Sequence, residues 1–219
     1  MACGDSFTEY TAEKGGNYNN KTNGNYDFEM NVFKTYPWWI AKRNGMILVN
    51  EAKSGSTITN TGKRTDAFSI DRYKQIPKDA DYITLKFGIN DDKDHENAKL
   101  GTINDSDNTT FYGAWNVVMD YLISNHPNAK IGIIATNGSF SEIVNAEIEI
   151  AKKYGISYLN EGLGENLPMF FRTSRTDVKD SIKNLFFERY AINTESDWHP
   201  DVAWHEYEST IVENWIKGL

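Results

Sequence analysis

The sequence predicts an α/β protein, a three-layer α/β/α sandwich around a central parallel sheet. Three observations predict it. Short, nearly continuous apolar runs alternate with longer stretches of helical spacing. Apolar runs of that length fit strands buried on both faces of a parallel sheet. Blocks rich in Gly, Ser, Asn and Asp follow directly on the strand ends, where open α/β sheets bind their ligands.

The elements follow in order. A strand should lead into Gly4, yet only Met1-Ala2-Cys3 precede it. Either that strand is very short or residues 1–219 are a single domain cut from a longer protein, and the second is the expectation. Cys3, the only cysteine, reads as a buried strand residue. Gly15 to Asn25 reads as a loop. Tyr36 to Arg43 ends a helix at Asn44-Gly45, and at least one of Trp38 and Trp39 should be core. Gly45-Met46-Ile47-Leu48-Val49-Asn50 reads as a strand, as do Tyr82 to Phe87, Lys130 to Ala135 and Ile156 to Asn160. Phe111 to Asn125 places Trp115, Val118, Met119 and Leu122 at helical spacing before Pro127. Ser141 to Tyr154 opens on a Ser-Glu cap and stops at Gly155. Residues 162–193 look irregular. Ala203 to Lys217 closes the chain with Tyr207, Ile211 and a core Trp215 spaced four apart.

Bulk properties exclude several classes. A net charge of −8 argues against a nucleic-acid or anionic-membrane partner. No apolar run approaches the roughly 20 residues of a membrane span, and no leader is visible. The chain is expected to be soluble, extracellular or virion-associated as part of a longer protein. No cofactor is implied. Asp91, Asp92, Asp94, His95 and Glu96 form a dense cluster but match no metal-binding loop, and Asp91 is expected to organise the turn around Asn90. Asp105 and Asp107 read as turn residues.

Four blocks carry chemistry. They are Gly4-Asp5-Ser6, Ser54-Gly55-Ser56, Gly88-Ile89-Asn90-Asp91 and Asp197-Trp198-His199-Pro200. A hydroxyl, a glycine amide, an asparagine amide and a late histidine are the parts that acyl transfer through serine requires. Of the four histidines, His95 and His126 read as exposed and His205 as a surface or packing residue. Only His199 is flanked by Asp and Pro.

Together these blocks resemble the SGNH hydrolases, the GDSL esterase/lipase family, over nearly the whole chain. The resemblance implies a flavodoxin-like fold and ester hydrolysis. It implies Ser6 as nucleophile, His199 as base, and an oxyanion hole of the Ser6 amide, the Gly55 amide and the Asn90 side chain. The last block departs from the family pattern, which puts the acid three residues before the histidine; Ser196 stands there. Asp197 is assigned the orienting role, with Glu195 or no side chain as the alternatives. Trp198 is placed at the edge of the site. The Tyr-Pro-Trp-Trp and Asn-Thr-Thr-Phe-Tyr-Gly stretches point to a carbohydrate acetylesterase branch. The expected substrate is therefore a small-molecule or glycan ester, O-acetyl above all. A lipase, thioesterase or acyltransferase of the same fold, or a non-catalytic glycan-binding domain, are the rival readings.

Overall fold

A computed structural model describes residues 1–11, 21–22, 25–26, 33–136, 141–162, 179–193 and 197–219. In chain order the elements begin with β1 (Ala2–Gly4) and the single-turn α1 (Ser6–Glu9). A two-stranded ribbon of β2 (Lys21–Thr22) and β3 (Asn25–Tyr26) follows, where a loop was expected. Next come α2 (Tyr36–Asn44), β4 (Tyr82–Lys86), α3 (Phe111–Asn125), β5 (Lys130–Ala135), α4 (Ser141–Tyr154) and β6 (Ser157–Asn160). The chain closes with α5 (Asp180–Tyr190), β7 (Ala191–Asn193), β8 (Asp197–Pro200) and α6 (Val202–Lys217).

The main sheet has the order β1-β4-β5-β6, all parallel. Alternate residues feed opposite faces, as the strand period of two requires. Ile83, Leu85 and Ile133 pack with Phe111, Trp115 and Leu122 of α3 and with Ile143 and Ile150 of α4. Ile134 and Leu159 turn the other way, onto Tyr36 and Ile40 of α2 and Val212 and Ile216 of α6. Two apolar layers on one sheet make the three-layer sandwich. Cys3 lies fully buried in β1, and the three residues before Asp5 suffice for a strand because β4 pairs with all of them.

Local chemistry sets the ends of the helices. Asp5 caps α1 by accepting from the Phe7 N–H, Thr110 caps α3 and Asp201 caps α6. The cap expected for α4 falls differently: Ser141 is already helical, and the residue before it lies outside the described ones.

Four expectations need correction. Residues 45–50 are not a regular strand. Only Asn50 bridges to Ala2, while Ile47 is 91% exposed and Met46 and Val49 also face outward, so the apolar run borders β1 without a full ladder. Residues 180–193 are a helix and a strand, not irregular. Trp38 and Trp39 are both half-buried, stacked edge to face at 4.9 Å with Lys42 over their rings, and neither is core. In α6 the buried stripe is Trp204, Glu208, Val212 and Ile216, one residue removed from the expected Tyr207, Ile211 and Trp215. Trp215 is half-buried. It lies over Gly132, where an added Cβ would come within 2.4 Å of the indole, and donates to the Ser157 hydroxyl at 2.8 Å.

Candidate active site

Every block singled out in the sequence gathers beyond the carboxyl ends of the strands. β1 delivers Gly4 and Asp5 to the sheet edge, and Ser6 opens α1 immediately after. Ser6 is 5% exposed. His199 comes from a different unit. It sits on β8, which pairs antiparallel with β7 outside the main sheet. Its Nε2 lies 2.8 Å from the Ser6 Oγ, across 193 residues of chain. Two rings hold the imidazole: Phe7 edge-on at 5.3 Å, and Tyr10 at 5.3 Å and tilted by 38°. Asp197 lies in the same strand as His199; its side chain and that of Trp198 fall outside the described residues, as does all of Glu195.

Backbone and amide donors lie on α1 and on the loops tied to it. The Ser6 N–H is the first of its helix, so it has no intrahelical acceptor. Neither it nor the Gly55 N–H finds a hydrogen-bond partner among the described residues. Gly55 adopts φ +72°, the left-handed region that suits glycine, and a Cβ there would meet the Arg64 Nη1 at 2.8 Å. Its loop is fixed on both sides. The Ser54 N–H donates to Glu9 of α1 at 2.6 Å, and the Asn90 Nδ2 donates to the Ser56 carbonyl at 3.1 Å. An amide nitrogen carries two hydrogens, so Asn90 keeps one to offer.

Asp91 does more than shape the turn. Its carboxylate accepts from the Ile58 and Thr59 N–H groups at 3.1 and 2.9 Å, tying the Asn90 loop to the Gly55 loop. The rest of the acidic cluster finds protein partners, and Glu96 accepts from Thr61 at 3.3 Å and pairs with Lys63. Asp92 is buried and meets the His95 Nδ1 at 2.8 Å. Asp105 accepts from the Thr102 and Thr110 hydroxyls as a turn residue should. Among the described residues no group of His, Cys, Asp and Glu could hold a metal ion. His126 is buried, not exposed as expected: it ends α3 by donating its N–H to the Leu122 carbonyl and packs near Tyr121.

Beneath the site lies a buried charged network absent from the sequence reading. The Lys86 ammonium, at the end of β4, meets Glu161 at 2.8 Å and also pairs with Glu208 of α6. Tyr36 lies beneath the same ammonium, with its hydroxyl 3.4 Å from Thr8 of α1 and its backbone N–H donating to His205. Burial alone would strip the Lys86 proton, but the two carboxylates outweigh it and raise its affinity well above the usual lysine range. A signal was present. A lysine inside the run Tyr-Ile-Thr-Leu-Lys-Phe needs a buried partner, and Glu208 shares the core stripe of α6.

Several buried acids hold their protons unusually tightly. Burial pushes Asp5 up to about 6 and Asp91 up to about 7, and it raises Glu147 well above its ordinary range. For such groups the folded state binds more protons than the unfolded chain, so stability is complete at low pH and is lost as pH rises through the folded value. Buried His205 runs oppositely. Burial lowers it to about 3, so it costs stability only below its ordinary 6.5. Above pH 6.5 these acids, with Glu208 raised by burial as well, pull stability down as pH rises. The partly buried Met1 ammonium, whose proton affinity burial lowers from its ordinary 8.0, opposes them as a single group. The urea midpoint should therefore fall between pH 6.5 and 8.5; a midpoint that held level or rose over that range would contradict this account.

A parallel α/β sheet with a serine and a histidine in contact beyond its strand ends, in a chain that an acylhydrolase family model matches, defines a class, a hydrolytic enzyme that cleaves esters. The chain belongs to the GDSL-like lipase/acylhydrolase family, whose model matches residues 3–162. A comparison with curated proteins finds no match. Among solved structures, a protein from Lactobacillus plantarum aligns with 23% identity and a TM-score of 0.67, covering 99% of this chain and 95% of its own. A protein from Bacteroides uniformis assigned as a GDSL-like lipase aligns with 19% identity and a TM-score of 0.66, covering 100% and 96%. A family two carbohydrate esterase from Clostridium thermocellum, solved with cellohexaose, aligns with 13% identity and a TM-score of 0.58, covering 99% of this chain and 62% of its own. Among the described residues no helix is long and apolar enough to cross a membrane.

Proposed function

We propose that the protein is a serine esterase that removes short acyl groups, O-acetyl above all, from carbohydrate. The observation that carries this reading is the 2.8 Å approach of the His199 Nε2 to the Ser6 Oγ. Serine is a weak nucleophile until a base takes its proton, and that contact has hydrogen-bond length.

The reaction runs in two halves. The imidazole accepts the hydroxyl proton as Oγ attacks the ester carbonyl. The carbonyl electrons move onto oxygen, and the Ser6 N–H, the Gly55 N–H and the Asn90 amide receive that negative charge. The intermediate collapses. The carbon–oxygen bond to the alcohol breaks, and the imidazolium gives the alcohol its proton. Water, deprotonated by the same imidazole, then attacks the acyl-serine and releases the acid. Asp197 is assigned to orient His199 despite its departure from the family spacing. The strand that carries both is bulged, since two steps from Ala191 to Asn193 match three from Pro200 back to Asp197, and a bulge re-aims side chains away from regular alternation. Trp198 remains assigned to the rim, where an indole would stack on a sugar face.

Two features support a short acyl group on a sugar. The serine is itself nearly buried, which leaves little room for a long acyl chain. Carbohydrate esterases stand among the structures that share the fold. The test is a p-nitrophenyl ester series from C2 to C12, run beside acetate release from acetylated polysaccharides. Turnover should peak at C2 and acetate should appear. A preference for C8 or longer would replace this reading with a lipase.

A further inference from the structure

We infer that a polar crevice beside the oxyanion donors is a subsite for a sugar residue of the ester-bearing glycan; this rests on the carbohydrate esterase reading above. The crevice has a volume of about 450 Å3 and is lined by Asn60, Thr61, Lys63, Glu96, Asn97 and Lys99, among others. That size lies within the roughly 300–1,000 Å3 of small-molecule clefts.

Its place follows from connectivity. One wall continues the loop that carries Gly55, and the other continues the loop that carries Asn90. The walls are laced to the donors themselves. The Glu96 N–H donates to the Asn90 carbonyl at 3.0 Å, the Ala98 N–H to the Asp91 carbonyl at 2.8 Å, and the Asn60 N–H to the Asn108 carbonyl at 2.8 Å. Asp91 joins the two loops through Ile58 and Thr59. The Asn90 loop leaves the carboxyl end of β4 and Asp91 binds the Gly55 loop to it, so we place the crevice at the end of the sheet that carries Ser6.

The lining selects the ligand. Among the described lining residues no large aliphatic or aromatic side chain is present to hold an acyl chain, so the crevice does not extend an acyl pocket. Nor is it a simple anion trap: the Lys63 ammonium is taken up by the Glu96 carbonyl at 2.8 Å and its carboxylate at 3.6 Å, which leaves Lys99 as a single exposed ammonium in a lining that also carries the Glu96 carboxylate. What remains is a set of amides, hydroxyls, one carboxylate and the Lys99 ammonium, a mixture of donors and acceptors that matches vicinal hydroxyls. The side chains of Asn97 and Lys99 make no hydrogen bond among the described residues and are both exposed. They are the groups free to engage a ligand.

The test uses the double variant Asn97→Gly/Lys99→Ala. Asn97 adopts φ +51°, so glycine removes its amide while keeping the left-handed backbone. Two substrates are compared, p-nitrophenyl acetate and acetylated xylotetraose. For the variant, KM for the oligosaccharide should rise about tenfold, from two lost hydrogen-bonding groups, with the aryl acetate unchanged. A variant equal to the parent on both substrates, or impaired equally on both, overturns the subsite. A parent protein that cleaves the aryl acetate but no acetylated oligosaccharide, with acetylated chitotetraose as a second probe, overturns the carbohydrate reading together with the subsite. Unlabelled xylotetraose titrated into the Ser6→Ala protein gives the direct readout. It should bind, and binding should weaken when Asn97→Gly and Lys99→Ala are added.

Discussion

Ser6→Ala and His199→Ala are each expected to lower kcat/KM for an aryl acetate by about 10⁴-fold or more, and the double variant to lose no more than either alone. The two groups act as one unit. The hydroxyl is a useful nucleophile only while the imidazole 2.8 Å away takes its proton, and the imidazole has no second task in the absence of that hydroxyl. Removing one therefore forfeits what removing both forfeits. The donors are untouched in all three proteins, so a residual rate above the uncatalysed reaction should survive. A fluorophosphonate probe should label the parent and fail on both Ser6→Ala proteins. Losses that multiplied in the double variant would show that Ser6 and His199 act separately, and the proposed mechanism would fall.

Lys86→Met is expected to cost about 3–5 kcal/mol of folding stability at pH 8. Lys86 is 1% exposed and stands between Glu161 and Glu208, themselves nearly inaccessible. Its removal leaves two carboxylates facing one another with neither water nor a cation to hold them. They can escape only by taking up protons. The loss should accordingly shrink at pH 5, and Lys86→Met/Glu161→Gln/Glu208→Gln should regain part of the stability at pH 8. Urea unfolding of the three proteins at both pH values measures this. A single variant as stable as the parent at pH 8 would mean that the trio contributes nothing to the fold.

The sequence made the sheet legible where strands are buried on both faces. Tyr82–Lys86 and Lys130–Ala135 are largely apolar runs because helices cover each side, and Ser157–Asn160 is marked by Leu159 in the same core. Residues 45–50 carry the same composition yet form one bridge only, since pairing along an edge depends on a neighbour that local pattern does not reveal. Helix α5 was hidden for a related reason. Ile182 and Leu185 stay exposed, and of the described side chains in α5 only Tyr190 is buried, so no clear stripe marks it. At the site, Ser6 and His199 could be found because motifs mark them. The lysine–glutamate network could not, because its members come from β4, the turn after β6 and α6, and no motif joins them. Glu9 was equally silent, since its partner is a backbone N–H 45 residues away.

That last contact has a consequence for how the enzyme works. The carboxylate one turn beyond the nucleophile grips the peptide next to Gly55, while Asn90 grips the far side of the same loop. In the proposed mechanism serine and anion receptors thus hang from a common tether. The dipoles are aimed once, when the polypeptide acquires its shape, and need no fresh alignment with each catalytic cycle.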